Sequence, residues 1–312
     1  MATLPVGIED VERAAQVIAG RLHRTPTLSS RSLGDDAFLK AELLQRTGSF
    51  KPRGVLTKLA SLTDEEKQRG VIAISAGNHA QAVAWGAGEE GLDALVVMYR
   101  SASETKIAAT RAYGAEVDLE AADPTEAFAR LDVLLEETGR TLVHPFDDPY
   151  TIAGQGTVAL EILEDVSDVE TIVVPVGGGG LIAGIAVAAA GRARVVGVEP
   201  EGSKAMYAAL EAGDRVEVTP TSIADGLSAP NAGTNALAIV RELTEGIVLV
   251  SEEEIEQGFR FLYQAAKLAC EPAGAVAVAA VLAGKVDGGR TVCVVSGGNV
   301  AAETAAAILA SR

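Results

Sequence analysis

Apolar positions recur along this chain in two registers. Residues 8–22, IEDVERAAQVIAGRL, place Ile8, Val11, Ala15, Ile18 and Leu22 on one stripe, the spacing of an amphipathic helix. Pro26 ends that pattern. Short runs follow at 70–78, 94–99, 171–180, 194–200 and 291–299, each bounded by glycine or a turn. Most are rich in Val and Ile, and such runs predict parallel strands buried on both faces. Ala-rich helical patterns lie between them, over 79–91 and 104–116. The longest apolar stretch, 275–284, is too short to span a bilayer and predicts a buried helix. Strand–helix alternation of this kind gives an α/β fold with helices covering the sheets. Polar, turn-rich breaks at 61–70 and 144–150 bracket a segment with its own strands. They predict a small domain over 66–147, inserted in a larger one built from 1–65 and 148–312.

Composition narrows the function classes. The 312 residues suffice for about two domains and a sizeable core without disulfide or metal staples. Acidic residues outnumber basic ones by 43 to 26, a net charge of −17, which repels nucleic-acid phosphates and anionic lipid. Only eight of the basic residues are lysine. The acid excess reads as a solubilising surface or as adaptation to high salt. Cys270 and Cys293 form no metal spacing or disulfide framework, and fit a reducing cytoplasm as small hydrophobes. No basic-then-apolar leader pattern opens the chain. Trp85 reads as helix core.

Chemistry concentrates where strands end, because ligands of open α/β sheets gather there. Four such steps carry glycine or polar residues, at 75–79, 177–180, 225–229 and 296–299; a fifth segment, TGSFKPRG at 47–54, places a lysine before a helical pattern. Gly177, Gly178, Gly179 and Gly180 expose consecutive backbone N–H groups at the start of a helix, an anion cradle suited to phosphate. The bland alternative is a tight strand–helix turn. Gly178-x-Gly180-x-x-Ala183, with Glu199 about 20 residues on, also matches a dinucleotide fingerprint, so a nicotinamide-dependent oxidoreductase stays open. Lys51 separates the cofactors. Flanked by Phe50 and Pro52, it becomes a neutral nucleophile if the loop excludes water, able to form a Schiff base with an aldehyde. A phosphate cradle plus such a lysine is what pyridoxal phosphate needs. A solvated cation at a helix start is the alternative for Lys51 alone.

Together TGSFKPRG, SAGNHAQ (75–81), HPFDDPYTIAGQGT (144–157), PVGGGGLIAG (175–184) and SGGNV (296–300) resemble, in order and spacing, the serine/threonine dehydratases. These are fold-type II pyridoxal-phosphate enzymes, similar to the tryptophan synthase β chain. The resemblance runs from about residue 8 to 305. It implies two three-layer α/β domains with the active site in the cleft between them. It implies that Lys51 holds the cofactor and then acts as the Cα base, beside Phe50. Asn78 would bond the cofactor's 3′-oxygen, and Gly177–Gly180 with Leu181 would bind its phosphate. Ser296 would face the pyridine nitrogen, and Gly226 would line the other side. The loop Ser75, Ala76, Gly77, Asn78 and His79 would hold the substrate carboxylate, with His79 itself packing the loop. A neutral hydroxyl beside the ring nitrogen makes the ring a weaker electron sink, which favours prompt β-elimination over transamination. The implied reaction converts L-threonine or L-serine, amino-acid substrates, to a 2-oxo acid and ammonia in a cytoplasmic homodimer or homotetramer.

Departures refine that expectation. Serine racemases resemble the chain too, but carry a second serine where Ala76 stands, and alanine cannot move a proton. A racemase or a 3-hydroxyaspartate dehydratase is the alternative within the class; a cofactor-binding pseudoenzyme is argued against by Lys51. Phe146 replaces the racemases' amide. A family cation site near Glu199 and Ser203 lacks a carboxylate at Ala205, so no metal is expected. Glu199 is otherwise an exposed or salt-bridged strand-end carboxylate. A regulatory extension beyond the SGGNV segment is not expected.

Overall fold

The computed structural model describes residues 4–287 and 289–311. Its larger sheet has six strands in the order β1 (Thr27–Ser29), β2 (Ala37–Lys40), β10 (Thr291–Val294), β7 (Thr171–Pro175), β8 (Arg194–Pro200) and β9 (Ile247–Val250). Only the β1–β2 pair is antiparallel. The second sheet is wholly parallel, in the order β5 (Glu116–Ala121), β4 (Ala94–Tyr99), β3 (Val71–Ile74) and β6 (Thr141–Leu142). It falls between β2 and β7 in sequence.

Both sheets are covered on both faces, which explains the unbroken apolar strands. On the large sheet, Ile172, Val174, Val292 and Val294 pack under α1 (Ile8–Ile18), α7 (Pro149–Asp165), α8 (Gly180–Ala189) and α10 (Thr234–Leu243). Val173, Val198, Cys293 and Val295 face the other way, against α11 (Glu252–Phe261), α12 (Pro272–Leu282) and α13 (Ala302–Ala310). On the small sheet, Val71, Ala73 and Val96 meet α2 (Lys51–Ala60), α4 (Asn78–Glu90) and α5 (Glu104–Ala112), while Ile72, Leu95 and Val97 meet α6 (Pro124–Thr138). A short helix, α9 (Ala205–Ala212), adds Met206 and Ala209 to the first of these cores, and α3 (Asp64–Arg69) buries none of its residues. Among the described residues no helix is long and apolar enough to cross a membrane.

Several sequence expectations shift. The first helix ends at Ile18 and buries Val11, Ala14 and Ile18, leaving Ile8 exposed and Ala15 only half-buried. Its buried stripe therefore keeps Val11 and Ile18 but takes Ala14 in place of Ala15. Trp85 is half-buried rather than core. Residues 225–229 do not end a strand; Asp225–Leu227 form a single helical turn.

α2 carries Lys51 at its first position and lies between α4 and α7. Against α4 it uses Val55, which a Cβ on Gly86 would approach to 2.9 Å. Against α7 the backbones nearly touch: a Cβ on Gly154 would stand 2.5 Å from the Arg53 carbonyl oxygen and 2.6 Å from Gly54 Cα. Neither backbone can yield without moving the start of α2. Gly154→Ala is therefore expected to cost about 1–3 kcal/mol. A urea midpoint equal to that of the native chain would contradict this packing.

Candidate active site

Three strand ends converge with the start of α2. The loop after β10 is zipped to the segment before α2: Ser49 pairs with Gly297, the Phe50 amide donates to the Ser296 carbonyl at 3.2 Å, and Gly298 N donates to Gly48 O at 2.9 Å. Thr47 (φ 59) and Gly48 (φ 73) are both left-handed there, turning the chain sharply into the helix. Pro52 follows Lys51 in the first turn of α2, where its missing N–H costs nothing.

Lys51 is thereby aimed inward. Its Nζ donates to the Pro145 carbonyl at 2.9 Å and lies 5.1 Å from the Phe50 ring centre. Burial lowers its pKa to about 8, opposed by the charge of Glu271. Two residues on, Arg53 is completely buried and salt-bridged. Its guanidinium meets both Glu42 carboxylate oxygens at 2.8 and 2.9 Å and both Glu161 oxygens at 2.7 and 3.0 Å. Lys40, also buried, completes the cluster on Glu161 at 2.6 Å.

The glycine turn after β7 is open to a ligand. Among the described residues, the amides of Gly177, Gly178 and Gly179 donate to no protein acceptor. The first amides of α8 lie next along the chain, where a helix leaves its N–H groups unpaired. Gly179 needs its φ of 97 to make the turn. Phe146 lies flat on this turn, where a Cβ on Gly178 would come within 2.3 Å of its ring. His144 shapes the Phe146 loop by accepting the Asp147 amide on Nδ1 at 2.9 Å, and Asp147 caps α10 through Thr234 N at 2.8 Å. So the Pro145–Phe146 step links the Lys51 amine to the glycines. The Gly226 turn closes in from the far side, Leu227 Cα lying 3.1 Å from a Cβ on Gly177.

The loop after β3 completes the cleft. Gly77 N donates to Ser75 Oγ at 3.1 Å, and a Cβ on Gly77 would meet nothing within 4 Å, so this backbone is open. Ala76 is half-buried beside it. Asn78 begins α4, giving its amide side chain to Glu271 at 2.6 Å and accepting from Asn299 at 2.8 Å. His79 is buried, with Nε2 2.7 Å from the Val143 carbonyl, and burial lowers its pKa to about 3. A histidine held neutral this way anchors the loop. Ser296 is buried two residues past the end of β10, and Leu181 in the first turn of α8.

Sequence reasoning passed over Glu271, Asn299, His144 and the Pro145 carbonyl. The signal for Glu271 was its place between the apolar Leu268–Cys270 and the all-apolar helix that Pro272 opens, an unusual setting for an acid. Glu199 corrects the expectation of an exposed or ion-paired carboxylate. It is fully buried, takes the amides of Met206 and Tyr207 at 2.9 and 2.8 Å, and so caps α9. Desolvation raises its pKa to about 8. Ser203, near it in sequence, is buried and donates to the Leu227 carbonyl at 2.9 Å.

A desolvated amine, unpaired glycine amides and a helix N-terminus around one cleft fit a phosphorylated aldehyde. They do not favour a dinucleotide, whose expected ribose partner, Glu199, is committed to α9. The two helix-covered sheets and this cleft define a fold-type II pyridoxal-phosphate enzyme. The model of the family "Pyridoxal-phosphate dependent enzyme" matches residues 18–297, and the chain belongs to that family. It is 45% identical to the catabolic L-threonine dehydratase TdcB of Escherichia coli K12, over 95% of this chain and 94% of that one. It is 45% identical to the L-threonine ammonia-lyase of Thermotoga maritima, over 95% of this chain and 76% of that one. Among solved structures it resembles maize serine racemase, with TM-score 0.92, 36% identity and 96% and 95% of the two chains covered. It also resembles the T.th. threonine deaminase, with TM-score 0.88, 41% identity and 95% and 99% covered.

The Lys51 environment sets a pH dependence. A group whose folded pKa lies near about 8, against about 10.4 in a free lysine, is neutral and reactive at lower pH. Carbamylation of Lys51 by cyanate in the full-length, cofactor-free chain is expected to rise with a midpoint near about 8. A midpoint at the ordinary lysine value, read by mass spectrometry, would show an amine open to water.

Proposed function

We propose that this enzyme is a threonine/serine ammonia-lyase, eliminating water from L-threonine or L-serine to give a 2-oxo acid and ammonia. The observation that carries the reading is the Lys51 amine, desolvated and joined through Pro145–Phe146 to a glycine turn with unpaired amides. The 45% identity to dehydratases and ammonia-lyases of threonine supplies the substrate class. Pyridoxal phosphate, when bound, withdraws electrons from the substrate's α-carbon and makes its proton removable.

The chain's own groups divide the remaining work. Lys51 would hold the aldehyde carbon and would later take the proton from Cα, a task for which a pKa brought toward neutrality is suited. The amides of Gly177–Gly180 and Leu181 would grip the phosphate. Asn78 would bond the ring's 3′-oxygen, Ser296 would face its nitrogen without supplying a charge, and Phe50 and Gly226 would flank it. Ser75–His79 offer open backbone and a helix start to the substrate carboxylate. Ala76 supplies no second proton carrier, which separates elimination from racemisation. We further propose that the two sheets define domains meeting near 65/66 and 147/148, in a cytoplasmic homodimer or homotetramer.

Ammonia and 2-oxo acid released from threonine, serine and 3-hydroxyaspartate are the direct test. Lys51→Ala is expected to lose about 10²–10⁴-fold or more in rate. It should also lose the absorbance band that borohydride removes from the native enzyme. Ala76→Ser is expected to raise the D-serine formed per 2-oxo acid. Faster racemisation than elimination by the native chain would replace this reading with the racemase one. If the charge of −17 is a high-salt adaptation, the melting temperature rises with KCl; a fall counts against it.

A further inference from the structure

Glu271 is the buried acid that the scheme above leaves unused. It lies immediately before α12, 4% exposed, with its amide on the Gly297 carbonyl at 3.1 Å. Its carboxylate is pressed between two glycines. A Cβ on Gly297 would come within 2.2 Å of Oε1, and one on Gly226 within 3.6 Å. Any side chain at Gly297 would displace the carboxylate.

The neighbouring hydrogen bonds have one polarity only. The Thr47 carbonyl can only accept, so the Asn299 atom at 2.7 Å from it is the amide nitrogen. That nitrogen also faces Asn78 at 2.8 Å, so Asn78 presents its oxygen there. Asn78 must then present its NH2 to Glu271, at 2.6 Å. One of its two N–H groups is spent on Glu271, and the other remains for the cleft. The chain of bonds thus starts on a left-handed backbone turn and ends on a buried carboxylate.

We propose that Glu271 is a positioning residue, fixing the Asn78 amide so that its free N–H points to the cofactor ring and placing a negative charge opposite Lys51. The proposal rests on the reading of Asn78 as a cofactor contact. The charged groups facing Glu271 are Lys51 of α2, Lys106 of α5 and Asp225 of the turn before Gly226, the last two paired with each other. Burial raises the Glu271 pKa to about 7, so its charge is present above neutrality and fades below it. That charge is what opposes the fall of the Lys51 pKa.

Two variants separate the parts. The full-length chain, stripped of cofactor, is titrated with pyridoxal phosphate, and the cyanate midpoint of Lys51 is measured beside it. Glu271→Ala is expected to weaken cofactor binding by about tenfold or more, since a charged hydrogen bond to Asn78 is lost. Asn299→Ala, removing the other clamp, is expected to do the same. Glu271→Gln keeps an acceptor for Asn78, so its affinity should stay within about threefold. It lacks the charge, so the Lys51 midpoint should move to lower pH. If Glu271→Ala does not fold, the glutamine variant decides alone. Native affinity in Glu271→Ala, or an unmoved midpoint in Glu271→Gln, overturns the proposal. Failure of the native chain to bind the cofactor through Lys51 would instead overturn the functional reading.

Discussion

The placement of the reactive amine depends on a guanidinium two residues away. Arg53 sits at zero exposure between Glu42 and Glu161, and Lys40 shares the second carboxylate. Buried charges are costly to desolvate, and only close, multiple bonds offset that cost. Here two cations and two anions satisfy one another, and Thr157 adds a further acceptor to Arg53 at 3.1 Å. The partners come from β2, the turn after it, α2 and α7. Whatever holds them together holds the first turn of α2, and with it Lys51. The same burial has opposite outcomes at the two positions. Arg53 has carboxylates on two sides and is held charged more firmly than in water. Lys51 has a single carbonyl acceptor and a more distant acid, so desolvation prevails and the amine tends to neutrality.

Around that fixed point the cleft is made mainly of backbone. The glycine turn, the open Gly77 step and the Ser296–Gly298 loop bring amides and carbonyls, while Phe146 and Leu227 close against glycines that have no Cβ to stop them. Few charged side chains take part. This suits a site whose ligand carries its own charges and whose chemistry needs water kept out.

Much of this was legible in the chain. Strands covered on both faces, β4 and β7 above all, read directly from apolar, Val-rich runs. The edge strand β5, EVDLEA, has polar residues facing solvent and no such run, and β6 has only two residues. The site was legible where a residue type is chemically unusual at its position, as with Lys51 and the tetraglycine. It was not legible where function comes from pairing across the fold. Glu271 and Asn78 are 193 residues apart, and nothing local marks either as the other's partner. Glu199 misled for a related reason, because the helix it caps begins only at Ala205, past a polar turn.

The close approach of Gly54 to Gly154 has a mechanical consequence. The chain leaves the six-stranded sheet through α2 and returns to it through α7, and these helices touch at that point. Both crossings therefore lie side by side, like the knuckle of a door. Lys51 lies three residues from that contact, so both passages of the chain fix its place at once.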